Sequence, residues 1–127
     1  MSDPPYTYGS GVTGAFGYND HLQMSSLAYV AGSTTLLNLG YSYTGANVHN
    51  NGKTQGITDG RGPAFSTRYA YDVLGRLSQA QTVDLSAANT WQLAWNYDRY
   101  GNRLSQTRCC GKCDAHLRAS PIWGNLV

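Results

Sequence analysis

The sequence predicts an all-β protein made of tandem antiparallel β-hairpins. Three observations lead there. Large apolar side chains recur at every second position in several separate stretches, which places them on one face of an extended strand. These stretches end in tyrosine and run into turn residues, twice as Tyr-Asp-x-x-Gly. Fifteen glycines and ten tyrosines in 127 residues, with no glutamate, suit a sheet with many tight turns and leave few helix-forming stretches.

The clearest hairpin comes late in the chain. Trp91, Leu93, Trp95 and Tyr97 alternate with Gln92, Ala94 and Asn96. Asp98-Arg99-Tyr100-Gly101 follows. Asp at the first position and Gly at the fourth suit a type I turn, with Gly free to take positive φ as a bulge. The chain then reverses into Leu104. An earlier copy obeys the same rule: Phe65, Thr67, Tyr69 and Tyr71 alternate, and Asp72-Val73-Leu74-Gly75 turns the chain. Leu77 begins the return strand, with Gln79, Gln81 and Val83 on one face. Two upstream stretches share the phase: Leu37, Leu39, Tyr41, Tyr43 and Val12, Gly14, Phe16, Tyr18. The terminal tyrosines stand at 18, 43, 71 and 97, that is 25, 28 and 26 positions apart. Recurrence in one phase is the mark of a repeat architecture. The earlier turns read as degenerate: Asn19-Asp20-His21-Leu22 has no glycine, and Thr44-Gly45 is followed by a second turn signal at Asn51-Gly52.

Three segments follow. Residues 1–11, rich in Pro, Gly and Ser, read as a flexible N-terminal segment. Its Gly9-x-Gly11-x-x-Gly14 matches a dinucleotide fingerprint only in letters, because a strand pattern follows where that motif needs a helix. Residues 12–107 hold about four repeats. Within them Leu22, Met24, Leu27 and Tyr29 form a return strand with a phase break at Ser25-Ser26, read as a bulge. Gly32-Ser33-Thr34 is a turn, the span from Gly45 to Gly62 a long polar loop, and Val83 to Thr90 the link between two hairpins. Residues 108–127 are a non-repeat tail. It reads as the start of an unrelated variable segment or as the product of a truncated or shifted frame, the second being the plainer reading.

At this length the chain makes one domain at most. Charged residues are 13%, about half the usual share of roughly 25%. A net charge of +2 is too small to imply a nucleic-acid partner. No positively charged start with an apolar run is visible, and no stretch reaches the roughly 20 apolar residues needed to span a bilayer.

Tyr71 to Leu77 (Y-D-V-L-G-R-L) and Tyr97 to Ser105 (Y-D-R-Y-G-N-R-L-S) resemble the YD repeat of the RHS family. Asn50-Asn51-Gly52 with Ile57-Thr58-Asp59 resembles a variant of it. The likeness covers roughly Phe16 to Thr107. It marks Tyr71, Asp72, Gly75, Arg76, Leu77, Tyr97, Asp98, Gly101, Asn102, Arg103 and Leu104 as the repeat turn motifs. Family members are large secreted or surface proteins, among them polymorphic toxins, wall-associated proteins and teneurins. The resemblance implies a β-shell segment: part of a sheet that spirals into a hollow shell, which in toxins encloses a C-terminal effector. It also implies an extracellular or cell-surface setting. The partners it implies are neighbouring RHS repeats or an encapsulated effector domain of a larger protein. The self-cleavage signature of such shells, Asp-Pro-x-Gly-Leu, does not occur: Asp3-Pro4 is followed by Pro5-Tyr6.

No catalytic residue, cofactor or metal site is expected. His21, His49 and His116 lack neighbouring nucleophile-and-acid patterns. Asp72 and Asp98 suit turns, where Asp bonds its own backbone two residues on, better than they suit an acid-base pair. Arg76 and Arg103 are expected to pair across strands with Asp of a neighbouring repeat. Cys110-x-x-Cys113-x-x-His116, with Cys109 and Asp114, holds soft ligands, but a zinc site wants a second, distant pair. Stray thiols able to cross-link on oxidation are the better reading. The aromatic stripes are read as packing between successive hairpins. The alternative is a carbohydrate- or cell-surface-binding module in which Trp91 and Trp95 stack on sugars. Open sheet edges would make the isolated chain prone to associate.

Overall fold

The computed structural model describes residues 1, 4–45, 48–88, 90–110 and 119–121, with the backbone alone described at 109–110 and 119–121. The described chain is all-β and contains no helix. It divides into two compact units, Met1–Ser66 and Thr67–Val127.

The first unit is an antiparallel meander of five strands: β1 (Tyr6–Thr7), β2 (Val12–Tyr18), β3 (Met24–Ala31), β4 (Thr34–Ser42) and β5 (Gly56–Asp59). The second is β6 (Thr67–Tyr71), β7 (Leu77–Thr82), β8 (Trp91–Tyr97), β9 (Arg103–Cys110) and β10 (Ala119–Pro121). Within each unit a strand packs only on its neighbours in sequence, so each is one layer.

Alternation gives each layer two unlike faces. In the first unit the register rows Tyr6–Gly14–Tyr29–Leu37 and Phe16–Leu27–Leu39 share a face. Rings meet there: Tyr6 and Tyr8 at 5.2 Å between centroids, Tyr8 and Tyr29 at 6.1 Å, Phe16 and Tyr29 at 6.2 Å. Gly14 leaves them room, since a Cβ there would stand 2.9 Å from Tyr29 Cε1. The opposite face is small and polar, with Ala15 beside Ala28 and Gly17 beside Ser26. In the second unit Tyr69, Ala80 and Leu93 form one row of the aromatic face, while Arg68, Gln81 and Gln92 form a row of the other.

Among the described residues neither layer has an apolar core of its own. Ala80 is the only buried apolar side chain among the described residues. The expected aromatic stripe residues Tyr41, Tyr43, Tyr69, Tyr71, Trp91, Trp95 and Tyr97 are half-buried along the sheet rather than enclosed between hairpins. Single sheets with a half-wetted face are usual for antiparallel pairing.

Several expectations need correction. The flexible segment 1–11 contributes β1, and Met1 also exchanges backbone hydrogen bonds with Tyr18. Pro4 and Pro5 lie between these anchors and lack the N–H that would extend the ladder outward, a common way of blunting an edge. Phe65 is not the start of a strand: its N–H and that of Ser66 bond Gly62 O, and the ring is about half exposed. The polar span from Gly45 to Gly62 contains β5, paired with the end of β4. Val83 lies beyond β7 and is exposed. The repeat strands run past Thr107, since β9 continues to Cys110, and the tail adds β10. The Gly32-Ser33 turn and the 83–90 link stand where the sequence puts them.

Candidate functional site: the repeated turn and its link to the next hairpin

Asp72 organises the first of the two Tyr-Asp turns. Its N–H donates to Arg76 O at 2.8 Å, and Gly75 N donates to its C=O at 2.8 Å. One carboxylate oxygen, Oδ1, accepts from Leu74 N (3.0 Å) and Arg76 N (2.8 Å); the other accepts from Arg76 Nε at 2.6 Å. Gly75 sits at φ 77°, where a Cβ would be strained. Asp98 repeats this: its N–H donates to Asn102 O, Oδ1 accepts from Tyr100 N (2.9 Å) and Asn102 N (2.8 Å), and Oδ2 from Asn102 Nδ2 (2.9 Å). Gly101 stands at φ 91°. The type I turn with a glycine bulge is therefore as the sequence implies.

A third copy, degenerate in sequence, is intact in the structure. Asn19 takes the place of Asp: its N–H donates to Gln23 O, and Oδ1 accepts from His21 N and Gln23 N, both at 3.0 Å. Asn19 Nδ2 donates to Gln23 Oε1 at 2.8 Å, closing the side-chain ring. Leu22 occupies the glycine position at φ 58°. A carboxamide oxygen accepts the same two N–H groups as a carboxylate oxygen, so the turn survives the change. In all three copies one residue is bulged after the turn: Ser25, Ser78 and Leu104. Leu104, expected to open the return strand, is thus the bulged residue after Arg103 and is exposed. The phase break expected at Ser25-Ser26 is this bulge.

The Asn19 and Asp72 turns are also each tied to the hairpin that follows in the same unit. Tyr43 Oη donates to Met24 O at 2.9 Å, and Tyr97 Oη to Leu77 O at 2.7 Å. Met24 and Leu77 are the residues after equivalent turns, so the two terminal tyrosines make one and the same bond. A side chain adds a second tie. Gln23 and Asn50 exchange amide hydrogen bonds of 3.2 and 2.6 Å. At the matching place Arg76 donates from Nη1 to Asp98 O at 2.8 Å and lies 4.7 Å over the Tyr97 ring. Arg76 therefore ion-pairs within its own turn and reaches the next through a carbonyl, rather than pairing with the neighbouring Asp. Arg103 donates to Gln106 Oε1 at 3.0 Å and forms no ion pair among the described residues.

Electrostatics follow these contacts. The Asn102 amide and then the turn N–H groups hold the Asp98 carboxyl below its ordinary value, against desolvation. Desolvation pushes Asp72 up, but the Arg76 N–H and guanidinium and the Leu74 N–H more than offset it, leaving it low. A further acid, Asp59, closes the Ile57-Thr58-Asp59 stretch that resembles a variant repeat. Asp59, 7% exposed, accepts from Arg61 N, Nε and Nη2 at 2.7–3.0 Å, while its N–H bonds Ser66 Oγ. The Arg61 side-chain hydrogen bonds take its pKa to about 2. Arg61 in turn stacks 4.3 Å over Phe65. The variant-repeat likeness marks Asp59 but not its pairing with Arg61, which lies in a span that reads as loop.

No family model and no curated protein matches the chain. A solved structure does. The fold resembles part of a chain in a mutant Tc holotoxin pore of Photorhabdus luminescens, with a TM-score of 0.68 and 16% identity over 84% of this chain. The match spans 6% of that much longer chain. At this identity the likeness is one of fold.

Trp91 and Trp95 are half-buried on the aromatic face, and the Trp95 indole N–H is already given to Gln106 Oε1 at 3.0 Å. The Thr82 hydroxyl contacts the Trp91 backbone. His21 and His49 are exposed and far apart in sequence. The cysteine cluster with Cys113, Asp114 and His116 lies outside the described residues, as do the side chains of Cys109 and Cys110. Among the described residues no group of His, Cys and Asp is placed to hold a metal.

Proposed function

We propose that the chain is a stretch of wall in an RHS/YD-type β-shell, whose work is to enclose or display a toxin or effector belonging to a larger secreted or surface protein. The observation that carries this is the tie between turn and following hairpin, made twice with the same geometry at Tyr43 and Tyr97. A bond that always points to the preceding repeat is what lets a sheet grow one hairpin at a time, each unit contacting only its neighbours. The fold likeness to a toxin-complex chain supports the setting. The absence of an apolar core among the described residues of either layer fits a wall whose faces are completed by other parts of a larger assembly. No catalytic group is assigned; the role is structural.

The test is an exchange. Residues 12–107 replace the matched stretch of the large toxin chain, and assembly and protease resistance of the enclosed material are followed. Assembly with protection retained supports the wall reading; a chimera that assembles but leaves its contents open to protease overturns it. The alternative, sugar binding through Trp91 and Trp95, rests on those two rings. A glycan array with Trp91→Ala and Trp95→Ala separates the readings, since the wall predicts no glycan signal to lose.

A further inference from the structure

We propose that the glutamine face of the second unit carries a carboxylate-binding trough centred on Arg68, and that its ligand is an acidic side chain of an extended polypeptide. Two register rows build it. Arg68 lies opposite Gln81, which lies opposite Gln92; in the next row Ala70 lies opposite Gln79, which lies opposite Ala94. The alanines lower the floor beside the long side chains. The result is an open cavity of about 300 Å³ lined by Arg68, Tyr69, Ala70, Gln79 and Gln81.

The guanidinium in this trough is held, not loose. Gln81 is 5% exposed. Arginine has only donors, so Gln81 must turn its Oε1 toward Arg68; its amide N–H then faces Gln79, whose amide must turn as well to present its oxygen. In that orientation Oε1 accepts from Arg68 Nε at 2.7 Å and also from Nη2. One edge of the guanidinium is thereby anchored by a buried neutral amide, and Nη1 is left for a ligand. Arg61 and Arg76 form the ion pairs among the described residues, with Asp59 and Asp72. Arg68, like Arg99, Arg103 and Arg108, has no counter-charge there, and it is the one of these that lines the trough. A fixed planar fork without a carboxylate of its own is a site for one.

The trough favours a passing chain over a small enclosed ligand. It is open, and the carboxamides of Gln79, Gln81 and Gln92 around it offer donors and acceptors together, as peptide groups require. The proposal does not depend on the wall reading; a chain that encloses nothing can still bind here.

The test is a titration of the isotope-labelled full chain, read at the Arg68 Nε–H and the Gln81 side-chain amide. Three probes are used: an octapeptide rich in Asp and Glu, its Asn and Gln twin, and acetate. The acidic peptide is expected to shift both signals and to bind about tenfold more tightly than its amide twin or acetate. Arg68→Gln is expected to abolish the shifts, Gln81→Leu to weaken binding, and Arg103→Gln to leave it unchanged, with backbone spectra confirming that each variant folds. Equal binding of the acidic and amide peptides, or shifts that survive Arg68→Gln, overturns the proposal. Acetate binding as tightly as the acidic peptide overturns its polypeptide part.

Discussion

The two units solve one problem with different side chains. In the second, each turn is built on Asp and Gly, and the tie to the next hairpin is a guanidinium. In the first, the turn is built on Asn and Leu, and the tie is a pair of carboxamides. The backbone hydrogen bonds are the same in all three turns. The turn is therefore specified by one side-chain oxygen that accepts two N–H groups, and charge is an addition to it. What charge adds is dependence on pH and salt, and a stronger single contact. The comparison predicts unequal losses when the ties are cut.

The largest effect is expected at Arg76. Arg76→Ala removes a charged donor from Asp98 O, a cation from the face of Tyr97 and the ion pair with Asp72, a loss of about 2–3 kcal/mol. Gln23→Ala removes neutral amide bonds to Asn50, worth about 1 kcal/mol. Amide exchange read separately in β6–β9 and β2–β4 measures each loss in its own unit. Equal losses would mean that the guanidinium contributes no more than an amide. Raising the salt concentration should narrow the difference, because it weakens the first tie and leaves the second alone.

Acid comes next. Asp72 and Asp98 have folded pKa values below the ordinary carboxyl value, near 3.9 in an unfolded chain by the usual reference. A depressed carboxyl contributes stability above its unfolded pKa, and that contribution is lost as the pH falls through its folded one. For Asp59 that lower limit is about 2. Between pH 5 and 2 the amides of Leu74, Arg76, Tyr100, Asn102 and Arg61 should lose protection, while those of His21 and Gln23 hold. The double variant Asp72→Asn with Asp98→Asn should keep both turns, as Asn19 does, and remove their share of the acid slope. Collapse of the turns at neutral pH in that variant would show that the carboxylate, not the oxygen geometry, makes them.

The tyrosine bonds should be alike in both units. Tyr43→Phe and Tyr97→Phe each remove one hydroxyl-to-carbonyl bond and leave the ring, at about 0.5–1.5 kcal/mol. A clear loss at one and none at the other would mean that the tie is not a repeated device.

These cases show what the sequence could and could not tell. The Asp72 and Asp98 turns were legible because Asp and Gly act locally, within four residues. The Asn19 turn was hidden because a β-branched or bulky residue is rarely found at positive φ, so the absence of glycine read as the absence of the turn. Alternation located six of the longer strands. It overran at Phe65, where the N–H closes a turn on Gly62, and it missed β5, whose four residues are too few to show a period. The ties were illegible for a different reason. Which carbonyl Tyr97 reaches, and whether Arg76 turns to its own Asp or to the next, depend on the stagger between strands, and a bulge of one residue sets that stagger.

The smallest effect is the sharpest test of equivalence. Leu22 holds φ 58° and is 73% exposed, so it bears backbone strain with little contact in return. Left-handed backbone costs a side-chain-bearing residue roughly 1–2 kcal/mol, and glycine's extra freedom in the unfolded chain cancels about 0.5–1 kcal/mol of the relief. Leu22→Gly should therefore stabilise the first unit by about 0.5–1 kcal/mol. Gly101→Ala tests the converse. Nothing lies within 4 Å of its ideal Cβ, so any loss there comes from the backbone alone, and a similar magnitude of opposite sign is expected. If Leu22→Gly destabilises instead, its side chain makes a contact that outweighs the strain. The first turn would then be held by what surrounds its tip, and the correspondence between the units would reach the hydrogen bonds but not the energetics.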